Sequence, residues 1–398
     1  MTGRWMSLAA ILLSGVASAA SVDEARQALA GLYPGHAEEV LERAAVQGML
    51  QAVDPAGRLL TPDQQQALAN EQDGRFVTVG VLLTRSNGLP RVAEILAGTP
   101  AEDSPLRIGD LLESIDGHSV RGLSLCAVER RLHGAADSTA SLERQTADGG
   151  LESVEVPRSA VAIPGIAAAE SWARDLGYIR LRGVFPGTAE SFLEVLEAWR
   201  EKDKASGLIL DLRGAAGGAV EGVRSIAALF VRGEDTAFQW QSPAGDTESL
   251  DLPAAERWSL PVVTLVDEQT TGAAELLAAL LRDRSGGSML LGRKSSGDPM
   301  LRNVLPLANG DALFLVSRHL VTADGTLYEG KAGVEPHITV ARGEDHPSAA
   351  DGELPPLSER ASEAQRELMT RARGDAVLTR ALDLLLALRA LRNADSGE

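Results

Sequence analysis

The chain has 398 residues, 44% apolar and 24% charged, enough for a sizeable core and, at roughly 100–200 residues per domain, for two or three domains. With 38 Lys and Arg against 56 Asp and Glu, the net charge is −18, which repels phosphate backbones and argues against a nucleic-acid partner. One cysteine, Cys126, excludes an internal disulfide and a multi-cysteine site, and six scattered histidines without metal-ligand spacing leave no metal and no cofactor to expect.

Residues 1–19 have the layout of a secretory signal. Arg4 supplies the positive start, Leu8 to Val16 an apolar run, and Ala17-Ser18-Ala19 a small-residue cleavage site. The run is shorter than the ~18–20 residues a membrane span needs. The mature chain is therefore expected to be exported, periplasmic or extracellular, with no membrane span left after cleavage. Residues 20–74 read as a helical N-terminal segment of three short helices. Leu41, Ala44, Ala45, Met49 and Ala52 recur at helical spacing, and Thr61-Pro62 gives a cap followed by a first-turn proline.

From residue 75 to 157 the pattern turns to short strands. Runs at Val79–Leu83 and Arg91–Leu96 lead to Gly98-Thr99-Pro100-Ala101, then to Leu106-Arg107-Ile108-Gly109-Asp110 and Ile115-Asp116-Gly117. A helix with Leu125, Val128 and Leu132 on one face follows, then strands near Ser138–Gln145 and Ser153–Val156. These residues resemble a PDZ domain. The resemblance implies a groove that takes an extended chain end as an added strand. Its carboxylate loop would be Val79, Gly80, Val81 and Leu82, and its apolar pocket would be walled by the helix carrying Cys126 and Arg130. Cys126 itself reads as a packed thiol, and Asp110 and Asp116 as turn residues.

Residues 158–342 alternate strands with helices, the signature of an α/β core. Tyr178–Leu181, Gly207–Leu212 and Pro261–Val266 are buried-strand runs, and Glu275 to Leu281 is a helix behind the third. Residues 343–398 read as a proline-containing linker and a closing helix with leucines at 378, 382, 385 and 386.

Three segments of the core, in this order, resemble the C-terminal processing peptidases, or tail-specific proteases. They are Leu210-Asp211-Leu212-Arg213-Gly214-Ala215-Ala216-Gly217-Gly218, Thr270-Thr271-Gly272-Ala273-Ala274-Glu275, and Leu291-Gly292 through Gly297-Asp298. Thr322-Ala323-Asp324-Gly325 and Gly333-Val334-Glu335-Pro336 support the match. The resemblance implies a ClpP/crotonase-like α/β peptidase core with an inserted PDZ domain and helical ends. It also implies a Ser–Lys dyad, in which a buried lysine takes the proton of a serine nucleophile. The oxyanion donors would be the backbone amides of Gly217, Gly218 and Ala273.

Both dyad positions have changed. Counting back from Glu275, the nucleophile position is Gly272; aligned on Gly292 and Gly297, the lysine position is Asp298. Loss of a nucleophile from a comparable unit costs roughly 10⁶ in kcat. Four residues on stands Arg302, where an ion pair with Asp298 is expected. The nearest substitutes are Thr271 and Lys294, a pair displaced from the inherited geometry. His133 and His319 read as packing or surface histidines, and Asp211 as structural, compensated near Arg213.

Three readings follow. The first is an exported pseudo-peptidase that binds polypeptide C-terminal tails or a partner protein without cutting. The second is an active peptidase using Thr271 and Lys294. The third is an assembly or regulatory subunit associating with itself or a true protease through helices near Glu39–Val53 and Val377–Leu391.

Overall fold

The computed structural model describes residues 21–340 and 375–396 together with Ala372. Within that span it leaves out 34–37, 87–88, 124, 147–148, 173–174, 203–204, 232–237, 285–287, 298–299, 322–326 and 329–332. The expected secretory signal, the linker and the Thr322–Gly325 motif therefore lie outside the described residues.

The N-terminal helices form where the caps predict. Helix α1 (Val22–Leu32) opens on Ser21, whose hydroxyl accepts from the Glu24 amide while Glu24 reaches back to the Ser21 amide. After α2 (Glu38–Val53) and a three-residue strand, β1 (Arg58–Leu60), helix α3 (Pro62–Gln72) repeats the device with Thr61 and Gln64. No described helix is long and apolar enough to cross a membrane.

Strand β2 (Arg75–Thr78) leads into a small β-rich unit. It comprises β3 (Val81–Ser86), β4 (Leu89–Ile95), β5 (Leu111–Ile115), β6 (His118–Ser119), α4 (Leu125–Leu132), β7 (Thr139–Gln145) and β8 (Leu151–Pro157). The sheet runs β3-β4-β5-β7-β8, with β6 paired to β5, so β3 is an edge strand with α4 packed against it. Val79, Val92, Leu106, Leu112, Val128 and Leu142 belong to a core of this unit's own. It is a small β-rich unit inserted between β2 and β9 (Ser159–Ala162), at the residues where the sequence resembles a PDZ domain. The chain leaves by β9, which pairs antiparallel with β2.

The sequence suggests one strand over Val79–Leu83, but the backbone breaks it at Gly80. There φ is +93°, and the Val79 and Gly80 carbonyls accept from the Ala101 and Leu96 amides. Strand β3 begins only at Val81.

The larger sheet has the order β10-β11-β12-β15-β16-β19. Its strands are β10 (Ile166–Trp172), β11 (Leu176–Leu181), β12 (Gly207–Asp211), β15 (Val262–Val266), β16 (Ser288–Gly292) and β19 (Ile338–Thr339). All pairs are parallel except β10 with β11. Helices α5 (Thr188–Lys202), α6 (Val220–Ala228) and α7 (Ala273–Arg284) pack on one face, against Ile179, Leu208 and Leu210. The closing helix α8 (Ala376–Ser396) covers the other face through Val377, Leu378, Ala381 and Leu382, against Ile209, Val263 and Leu265. Burial of both faces explains why these strands read as continuous apolar runs.

A second sheet joins distant segments in the order β1-β18-β13-β14. It consists of β1, β13 (Gln239–Gln241), β14 (Thr247–Ser249) and β18 (Ala312–Val321), with β17 (Leu301–Pro306) paired along β18. Its strands are short or half-exposed, and the sequence pattern did not announce them.

Candidate functional site

At the carboxyl ends of β12 and β15, where open α/β sheets place their sites, two turns meet. One is residues 212–218 after β12. The other is residues 267–272, which lead from β15 into α7. Asp267, 6% exposed, joins them. Its Oδ1 accepts from the Gly214 amide (2.9 Å) across the gap and from the Gln269 amide (3.1 Å) within its own turn. The Thr270 hydroxyl donates to the Leu212 carbonyl at 2.9 Å, and the Thr271 amide to the Ala215 carbonyl at 3.0 Å. The two turns are one hydrogen-bonded piece.

Gly272 sits at the start of α7 with φ +59°, and its carbonyl accepts from the Leu276 amide. A β-carbon built there would have the Gly217 amide nitrogen as its nearest neighbour, 3.8 Å away. Position 272 therefore aims its side-chain direction at the turn from which the resemblance draws its oxyanion donors. Ala273 opens the first turn of α7, and Gly217 and Gly218 both hold positive φ, +74° and +109°.

A third segment, residues 293–297, lies across these turns. The Ser296 amide donates to the Thr270 carbonyl (3.0 Å) and the Ser295 amide to the Val334 carbonyl (3.2 Å). Glu275, fully buried on the first turn of α7, holds the segment from below. Its carboxylate accepts from the Gly297 amide at 2.7 Å and from the Ser295 hydroxyl, which in turn accepts from the Val334 amide at 2.7 Å. The sequence offered Glu275 only as a marker for counting; its anchoring role was missed, as was that of Asp267.

Asp298 itself lies outside the described residues. Arg302, on β17, carries its guanidinium to Asp54 with Nε 3.0 Å and Nη2 3.3 Å from the carboxylate. Asp54 also accepts from the Val316 and Ala56 amides at 2.9 and 3.0 Å. Burial would raise the Asp54 carboxyl, but Arg302 and these amides hold it below its ordinary value. Lys294 points its ammonium at Glu335 (3.0 Å), both half-exposed. Arg213 sits on Asp211 and grips Asp375, which caps α8 through the Leu378 amide.

A model of peptidase family S41 matches residues 175–340. The α/β core is a peptidase family S41 domain. The chain is 24% identical over 302 residues to the carboxy-terminal processing protease CtpA of Bacillus subtilis, covering 76% of this chain and 64% of that one. It is 31% identical over 281 residues to the carboxyl-terminal-processing protease of Synechocystis, covering 67% and 63%. Among solved structures, the photosystem II D1 C-terminal processing protease superposes with a TM-score of 0.51 at 23% identity, over 90% of this chain and 98% of that one. That likeness shows the fold. The chain spans less than two thirds of the length of the curated relatives named here.

The inserted β-rich unit is fastened to the S41 domain beside the site. Glu129 of α4 accepts from Arg180 (3.1 Å) and from Arg182 (3.0 and 3.2 Å) at the end of β11. Burial would raise its carboxyl, but the two guanidinium groups outweigh that and hold it low. The Arg182 carbonyl accepts from Ala216 at 2.7 Å, so one residue touches both α4 and the 212–218 turn. Of the residues implied for peptide binding, Val81 and Leu82 lie on the edge strand β3, and Val79 and Gly80 in the turn before it. Arg130 is exposed on α4, which also carries Cys126.

Proposed function

We propose that this chain is an exported, catalytically inactive relative of the tail-processing peptidases that holds polypeptide C-termini, or the tail of a partner protein, through its PDZ module. The observation that carries the reading is Gly272. A residue with no side chain stands where the first turn of α7 meets the Gly217 amide, in a framework otherwise assembled to surround a reacting carbonyl. Without a hydroxyl at that point no acyl transfer starts there, whatever base stands at 298. The edge position of β3 beside α4 supports the binding half, since a chain end can add to it as a further strand. The Thr271–Lys294 alternative gains no support from the ion pair that holds Lys294 on Glu335. Helix α8 spends its apolar face on the S41 domain, which weakens its candidacy as an assembly surface.

The test is a cleavage assay on the mature protein with an unstructured substrate ending in apolar residues, products read by mass spectrometry. A Gly272→Ser/Asp298→Lys variant runs alongside. A silent wild type that nevertheless retains the substrate supports the reading, and a cutting variant confirms the two positions. Cleavage by wild type overturns it.

A further inference from the structure

Between α2, β1 and α3 lies a groove of about 330 Å³, whose lining includes Gln47, Arg58, Leu59, Leu60, Leu68 and Glu71. One of its lining residues, Glu71, neighbours the site just described. The Glu71 carbonyl is 3.9 Å from where a β-carbon on Gly217 would stand, and the Gly217 amide is the nearest neighbour of the β-carbon position of Gly272.

One wall of this groove is a sheet edge. Strand β1 pairs with β18 on one side only among the described residues, and on the other side the side chain of Gln47 meets the Leu59 amide and the carbonyl of Gly57 just before the strand. Gln47 Nε2 donates to the Gly57 carbonyl at 2.8 Å, and its Oε1 accepts from the Leu59 amide at 2.9 Å. A carbonyl at one residue and an amide two residues later are the pair that an added parallel strand engages with its own N–H and C=O. The Gln47 amide thus stands in for one residue of a missing strand. The rest of the lining suits the same guest. Leu59 and Leu68 are half-buried and, with exposed Ala67, offer apolar surface to a side chain above the buried Leu60, while Arg58, Gln64 and Glu71 remain exposed and polar.

We propose that this groove takes an extended stretch of polypeptide, whose backbone replaces Gln47 on the edge of β1 and whose path leads to the Gly217–Gly272 turn. The inference rests on the reading that the chain holds polypeptides, and it adds a second place where they are held. Edge strands are templates for such addition, and a side-chain amide that satisfies the edge until a guest arrives keeps it from pairing indiscriminately.

The experiment uses the full mature chain and an unstructured polypeptide with an apolar C-terminus as probe. A photo-crosslinking amino acid is placed at position 68 in one variant and at Thr84, on β3, in another. Leu68→Glu and Gln47→Ala are compared with wild type by fluorescence anisotropy. Cross-linking at both positions is expected. Leu68→Glu should weaken retention about tenfold by putting a charge against an apolar guest. Gln47→Ala should tighten it about fivefold, since two hydrogen bonds no longer have to be displaced. Cross-linking at 84 alone, with both substitutions silent, overturns the groove and leaves the holding of polypeptides standing. No retention at either position overturns both.

Discussion

Glu275 and Glu129 are both carboxylates taken out of water, and the described partners that meet them differ in kind. Glu275 is met by a hydroxyl and a backbone amide from residues 295–297, all within the S41 domain. Glu129 is met by two guanidinium groups that belong to a different module from its own. Dipoles of the local chain fix a loop to within a hydrogen-bond length, as a reacting centre needs. Paired charges instead hold two bodies together, at the expense of desolvating three ions. Local dipoles thus hold residues 295–297 on α7, while paired charges hold α4 on the end of β11.

The largest expected effect tests the junction. Glu129→Ala leaves the Arg180 and Arg182 side chains, each 10% exposed, without their carboxylate. It should cost about 3–5 kcal/mol, read by urea denaturation of the whole chain, with the transition of the inserted β-rich unit separating from that of the S41 domain. A loss under about 1 kcal/mol would reduce the clasp to an ordinary surface pair. Next comes Glu275→Ala, which strips the acceptor from Ser295 and Gly297 and should cost about 2–3 kcal/mol in a single shared transition. Glu275→Gln, which keeps an acceptor, should lose less. If the alanine variant matched wild type, the contrast between the two carboxylates would collapse.

The smallest effect concerns acid. Because Arg180 and Arg182 hold Glu129 below its ordinary value, its contribution is complete above about pH 4.3 and is lost only as pH falls through the lower folded value. The clasp should therefore survive mild acid. His133 lies at the same junction, stacked on Phe76 with ring centroids 4.7 Å apart. Burial lowers its pKa, with Arg130 and Arg158 adding and Glu129 opposing. A neutral histidine is favoured in the fold, so its contribution is present above about pH 6.5 and fades as pH falls through the folded value. His133→Phe keeps the stack and should flatten the stability profile in that window. An unchanged profile would place the acid response elsewhere.

The central sheet was legible because strands covered on both faces need apolar residues at every position, as in Val262–Val266. The turn after β12 was legible too, since Gly217 and Gly218 stand where the backbone takes positive φ. The second sheet was not. Strand β17 has four exposed positions in six, and β1 finds its partner more than 250 residues away, so neither periodicity nor proximity announces them. Asp267 escaped notice for a related reason. An aspartate in a turn looks like turn chemistry, and only the fold reveals that it accepts from Gly214, 53 residues back. The pairing of Arg302 with Asp54, 248 residues away in the helical N-terminal segment, is likewise something no local pattern could have disclosed.

The ribbon formed by β2 and β9 carries a consequence for the evolution of such chains. Thr78 and Ser159 face each other across it, so the chain returns from its excursion through the β-rich unit at the spot where it departed. An insertion with touching ends can be excised, duplicated or exchanged without stretching its host. A two-residue Asn-Gly turn joining Thr78 to Ser159 would close the gap as an ordinary hairpin, leaving a shorter protein with the same strand order whose central sheet registers the deletion only at Arg180 and Arg182, where Glu129 is lost.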